Sequence, residues 1–95
     1  PKSVFEYFAK LCNIPHGSGN EKQVSEFIAE TLRPYCKEVK VYQDGTVYAY
    51  KEATPGYEDR KTVCLQGHMD MVCVKTKLSN HDFKKDPLDL YVEDG

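Results

Sequence analysis

Two residues near the middle of the chain carry the clearest chemical potential. In Leu65-Gln66-Gly67-His68-Met69-Asp70-Met71-Val72-Cys73, an imidazole and a carboxylate stand two residues apart, just after a short apolar run. If that run is a strand, alternate side chains share a face, so His68 and Asp70 project together while Met69 and Met71 fill core space opposite. Burying either polar group without a partner costs about 1–3 kcal/mol or more. A neutral imidazole is a good zinc ligand, and a nearby carboxylate either ligates as well or holds the ring in the required tautomer. The plain alternative is a strand-end histidine paired with an aspartate for structure alone. Spacing does not choose between them, because His-x-Asp is common and a zinc site needs three or four ligands.

The other candidates are weaker. His16 in "IPHGSGNE" lies in a loop with two glycines ahead of a helix, where a cleft near a helix N-terminus would favour anions; a loop that merely caps the helix explains it equally simply. His81 in "SNHDFKKDP" has Asp82 beside it, a pair that reads first as part of a solvated loop. Cys64 and Cys73 flank the His-x-Asp stretch as potential thiolate ligands, although Cys64 sits inside the apolar run, where a thiol behaves as a small hydrophobe. "HGSGNE" has Gly-x-Gly but neither the third glycine nor the preceding strand of a phosphate loop. A serine nucleophile elbow is also missing.

The elements that must position these groups follow from period and punctuation. Ser3-Val4-Phe5-Glu6 has the form of a capping box, and Val4, Phe8, Leu11 and Cys12 recur at helical spacing until Pro15 stops the run. Ser18 with Glu21 offers a second capping box, leading a helix with Val24, Phe27, Ile28, Leu32 and Tyr35 on one face, due to end near Arg33 before Pro34. From Glu38 the period becomes two, with Asp44-Gly45 between the alternating runs predicting a β-hairpin. Pro55-Gly56 fits the centre of a type II turn. "TVCLQG" then reads as a strand covered on both faces, and "LDLYVE" as another at the end. Phe5, Phe8, Tyr48 and Tyr50 read as core or half-buried residues. Helices followed by mostly antiparallel strands predict an α/β arrangement.

Composition narrows the function classes. A 95-residue chain makes at most one domain, and a net charge of −2 with no basic patch gives no electrostatic case for nucleic acid or anionic membranes. No apolar run approaches the ~20 residues of a membrane span, and no basic-then-apolar leader opens the chain, so a cytoplasmic protein is expected. Four scattered cysteines without a C-x-x-C then read as reduced, mostly buried thiols. The start at Pro1 and the finish at "YVEDG", where Asp94-Gly95 looks like a turn without its return strand, lead to the expectation of a fragment.

The order of these features resembles a known family. "VFEYFAKLCNIPHGSGNEKQVSEFI", "VYQDG", "ATPGYEDRKTVCLQGHMDMVCVK" and "HDFKKDPLDLYVEDG" are similar to the N-terminal portion of aminoacyl-histidine dipeptidases, the beta-alanyl-histidine (carnosine-type) branch of the zinc peptidases. The likeness covers nearly the whole chain; "LQGHMDMV" and "HDFxxDP" are its most specific parts. The turn at Asp44-Gly45-Thr46 is tighter than the family's usual one, without bearing on the chemistry.

The resemblance implies an α/β fold that forms the N-terminal part of a zinc-peptidase catalytic domain: two helices, a hairpin and further strands of a mixed sheet, with residues 1–95 incomplete as a domain. It implies a two-zinc hydrolase of Xaa-His or related dipeptides, with His68 as a metal ligand. Asp70 would belong to the catalytic apparatus as the carboxylate that orients that histidine. A bridging Asp, a Glu-Glu pair containing the general base, a later Asp and a distal His would lie further along the chain. The 95 residues alone are therefore expected to bind zinc weakly or not at all, to hydrolyse nothing, and to self-associate through an exposed sheet edge. The competing expectation is a stand-alone, non-enzymatic α/β protein-interaction module.

Overall fold

The computed structural model describes all of residues 1–95. Its elements are α1 (Lys2–Cys12), α2 (Lys22–Leu32), a 3-10 turn (Arg33–Tyr35), β1 (Glu38–Val41) and β2 (Val47–Tyr50). The chain divides into two compact units, one of Pro1–Val24 with Asp70–Gly95 and one of Ser25–Met69. No helix is long and apolar enough to cross a membrane.

In the first unit α1 begins two residues earlier than the capping box implies. The Pro1 carbonyl accepts from the amides of Val4 (3.1 Å) and Phe5 (3.3 Å), so Pro1 is the N-cap and no side chain caps the helix. Ser3 already lies in the first turn, where it cannot act as the flanking residue a cap requires. The helix stops as Pro15 dictates: Asn13 is the C-cap, its amide reaching the Ala9 carbonyl at 3.1 Å. Helix ends leave carbonyls without intrahelical partners, and the Cys12 carbonyl finds one in the amide of Leu88 at 2.9 Å. The Cys12 side chain is buried there, and burial pushes its thiol up.

The second capping box is also absent. α2 starts at Lys22, the Glu21 carboxylate accepts from the Gly19 amide at 2.6 Å, and the Ser18 hydroxyl is directed elsewhere. Asn20 closes the loop by donating its amide to the Gly17 carbonyl at 2.8 Å. Val24 is fully buried, as its helical face implies.

In the second unit Ser25 and Ala29 are the buried residues. The helix gives way at Arg33 to the 3-10 turn, with Pro34 inside it, so the expected end is met within a residue. β1 and β2 pair antiparallel in the register Val39↔Ala49 and Val41↔Val47. The amide of Lys37 extends that ladder to the Tyr50 carbonyl at 2.8 Å. The hairpin closes through a turn in which Gly45 N–H reaches the Tyr42 carbonyl (2.9 Å), followed by Tyr42 N–H to the Thr46 carbonyl (2.8 Å). Gly45 has φ +92°. A type I turn followed by a left-handed glycine is the common three-residue hairpin connection. Thr54–Tyr57 forms the expected type II turn, with Tyr57 N–H on the Thr54 carbonyl at 2.9 Å and Gly56 at φ +91°.

Two expected strands do not form. "TVCLQG" and "LDLYVE" lie in no ladder, and Val63 and Leu65 are 78% and 92% exposed. A strand exists only where another backbone takes its amides and carbonyls in a ladder, and no strand within the 95 residues pairs with either run; the single bond from Leu88 to Cys12 makes no ladder. The same lack of a covering layer leaves Phe5, Phe8, Tyr48 and Tyr50 exposed, contrary to the expectation of a core role, and it exposes Cys64 and Cys73. All four thiols are free, with Cys36 half-buried. Helix, helix, hairpin and the α/β class hold; the further strands of the mixed sheet do not.

Candidate functional site

Asp70 is half-buried and begins the second segment of the first unit. Its carboxylate Oδ2 accepts the Ser18 hydroxyl at 2.5 Å. The backbones on either side are joined as well. Gly17 and Met71 form an isolated parallel bridge, in which the Met71 amide donates to the His16 carbonyl at 3.0 Å and the Ser18 amide to the Met71 carbonyl at 3.3 Å. Gly17 is buried, and a Cβ built on it would collide with the Cys73 Sγ. A glycine is what allows the two backbones to approach so closely.

The loop His16–Asn20 is thus more than a helix lead-in, because it holds the Asp70–Met71 backbone and one carboxylate oxygen. Sequence reasoning assigned Ser18 to a cap and so missed its actual partner. The Ser-x-x-Glu pattern carries no signal for a partner 52 residues away.

His68 is exposed and lies in the second unit, in a stretch without secondary structure. Neither His68 nor Asp70 is a free side chain. Met69, between them in sequence, is half-buried, and its Sδ lies 3.1 Å from the Ser25 hydroxyl. That hydroxyl also lies 2.6 Å from the Gly45 carbonyl, the stronger acceptor.

The remaining candidates serve local structure. His16 is half-buried and donates from Nδ1 to the Ile14 carbonyl at 2.6 Å. The His81 ring meets Phe83 edge-on at 4.6 Å, and its carbonyl accepts from Lys75 Nζ at 2.6 Å. Asp82 accepts the Lys84 amide at 3.0 Å and donates its own amide to Asp86 at 2.8 Å, so both carboxylates of "HDFKKDP" stabilise a turn. The Cys64 thiol lies 3.9 Å from the Leu65 carbonyl, and the Cys73 thiol, beside Gly17, 3.8 Å from the Met71 carbonyl.

A fit to zinc is therefore partial. An exposed imidazole is a competent nitrogen donor, but no group of three or more His, Cys, Asp or Glu side chains converges in this structure.

No family model matches the chain. Over 93 residues, 98% of its length, it is 41% identical to the cytosol non-specific dipeptidase of Escherichia coli (strain K12), of which it covers 19%. Among solved structures it superposes on the aminoacylhistidine dipeptidase of Vibrio alginolyticus with a TM-score of 0.86 at 36% identity, over 99% of this chain and 19% of that one. The chain is thus similar to these two dipeptidases along nearly all of its length, while spanning less than a fifth of theirs. The resemblance read from its motifs holds in sequence and in fold.

Proposed function

We propose that these 95 residues are the N-terminal part of the catalytic domain of a cytoplasmic, zinc-dependent dipeptidase acting on Xaa-His or related dipeptides. The observation that supports this most is the extent of the likeness: both sequence and fold match dipeptidases over essentially every residue of the chain. No observation favours the stand-alone interaction module.

In this reading His68 presents a ring nitrogen to one of two zinc ions. Asp70 acts as a positioning residue for that imidazole, fixing its tautomer and raising its basicity. Zinc, when bound, polarises a scissile carbonyl and lowers the pKa of a bound water. The other ligands and the general base come from further along the full-length chain. The loop His16–Asn20 contributes by holding the Asp70 end of the stretch.

The test is His68→Ala in the full-length protein, with metal content and hydrolysis of beta-alanyl-histidine measured side by side. Loss of one zinc and of most activity is expected. Two bound zincs with full activity would overturn the assignment. Asp70→Asn keeps the shape and removes the charge, so a loss of about 10–100-fold in affinity or rate is expected; wild-type behaviour in both would make Asp70 merely structural.

A further inference from the structure

We infer that Met69 is a site of reversible oxidation by peroxide, and that its sulfoxide releases the Tyr42–Thr46 turn from helix α2. Three groups carry this: the Met69 thioether, the Ser25 hydroxyl and the Gly45 carbonyl, all within the second unit. The device needs neither metal nor hydrolysis, so it stands independently of the dipeptidase reading.

Ser25 lies on α2 and is 1% exposed, and its hydroxyl stands between two acceptors, the Gly45 carbonyl at 2.6 Å and the Met69 Sδ at 3.1 Å. A serine hydroxyl has one proton to give. While the sulfur is a thioether it is the weak acceptor, so the proton goes to the carbonyl and ties the turn to the helix. The geometry leaves little slack for a further atom. Sδ and Oγ are already in contact, and a Cβ added to Gly45 would lie only 3.2 Å from the same Oγ. Met69 is half-buried rather than sealed in, which leaves it open to an oxidant as small as hydrogen peroxide. In the reaction the sulfur lone pair attacks one peroxide oxygen and the O–O bond breaks. The departing hydroxide takes the proton of the transferred oxygen and leaves as water. Sulfur loses two electrons and the peroxide gains them. The sulfoxide puts a polar oxygen where an apolar chain was. It competes with the Gly45 carbonyl for the single Ser25 proton, and it needs room that only a shift of the Ser25 or Met69 side chain provides. Either way the Gly45 carbonyl loses its donor. The turn keeps its own bonds, Gly45 to Tyr42 and Tyr42 to Thr46, and loses its tie to α2. A methionine sulfoxide reductase reverses the step, the oxygen leaving as water while two thiols become a disulfide.

The experiment uses the full-length protein as wild type, Met69→Leu and Ser25→Ala, each before and after limited exposure to hydrogen peroxide. Oxidation is read by mass spectrometry of the peptide containing Met69, the turn by amide exchange at Tyr42, Gly45 and Thr46, and folding by thermal melting. In wild type, Met69 is expected to gain one oxygen while the melting transition stays in place. Turn exchange should then rise about fivefold, which corresponds to the loss of one hydrogen bond. Treatment with a methionine sulfoxide reductase and a thiol should reverse both changes. Met69→Leu is close in volume and lacks the sulfur, so it should keep wild-type exchange and ignore peroxide. In Ser25→Ala the tie is already gone, and oxidation of Met69 is expected to add nothing, as groups acting through one another are not additive. A Met69 that stays unoxidised in the folded protein overturns the inference. So does oxidation that leaves turn exchange unchanged, or a peroxide response of the same size in Met69→Leu or Ser25→Ala. If Ser25→Ala loses its melting transition, wild type against Met69→Leu decides alone. A His68→Ala protein that kept both zincs would sink the dipeptidase reading and leave each of these outcomes untouched.

Discussion

Two glycine-bearing loops of this chain solve the same problem in opposite ways. In Tyr42–Thr46 the bonds that give the turn its shape lie within five residues: Gly45 to Tyr42, Tyr42 to Thr46, and the Thr46 amide to Asp44 Oδ1 at 2.9 Å, with one outside tie from the Ser25 hydroxyl to the Gly45 carbonyl at 2.6 Å. In His16–Asn20 the loop is tied from outside by Asp70 and Met71, and more loosely by the Lys84 carbonyl, which accepts from Asn20 Nδ2 at 3.4 Å. The first loop takes its backbone bonds from itself. The second is half of a joint whose other half is encoded far away, and it is the second that the functional reading depends on.

The largest test of this contrast is Gly45→Ala. A residue with a Cβ at φ +92° is strained, and the new atom would sit 3.2 Å from the buried Ser25 hydroxyl. A loss of about 1–2 kcal/mol is expected, measured by denaturant unfolding. Faster amide exchange should be confined to Tyr42, Thr46 and their neighbours; spread to residues 16–18 would break the claim that the turn takes its backbone bonds from itself.

Ser25→Ala comes next. Ser25 is buried and bonds the Gly45 carbonyl at 2.6 Å, so its removal strands an acceptor and is expected to cost about 1 kcal/mol. Unchanged stability would mean that water replaces the hydroxyl.

Gly17→Ala should be smaller, because the atom it meets is the movable Cys73 sulfur. A cost under about 1 kcal/mol is expected, abolished in a Cys73→Ala background. Its mark should be faster exchange at both Ser18 and Met71. An effect on one side only would argue against a joint.

The smallest effect belongs to Asp44. Its carboxyl is held below the ordinary aspartate value of 3.8 by the backbone amide of Thr46. A depressed folded value stabilises the hairpin above that pH, and the contribution fades as pH falls through the lowered value. Asp44→Asn should remove this acid dependence from the Thr46 amide exchange rate while leaving neutral behaviour nearly unchanged.

The contrast also explains what could be read from the sequence. The hairpin, the Pro55-Gly56 turn and both helix ends depend on residues within a turn of one another, and each formed within a residue or so of its expected place. Both Ser-x-x-Glu boxes matched a local rule and failed for different reasons. Ser3 was overtaken by a helix that starts at Lys2, and Ser18 by an acceptor beyond the reach of any local pattern. "TVCLQG" and "LDLYVE" have strand-like composition, yet pairing is a property of two segments, and neither run is joined to a second strand. For the candidate site, the His-x-Asp spacing singled out a stretch of the chain, while the serine that bonds Asp70 could emerge only from the fold.

The bridge at Gly17 and Met71 has a consequence in time. A hairpin closes in about 1–10 μs once its residues are present, and helices faster still. Ser18 and Asp70 are separated by 52 residues, so on a ribosome adding roughly 5–20 residues per second the loop exists for about 3–10 s before its acceptor is made. During that interval α1 and the hairpin can form, whereas the grip on Asp70 cannot. The segment that carries His68 and Asp70 is therefore among the later parts of this chain to be born, and it arrives at a loop already synthesised and waiting to receive it.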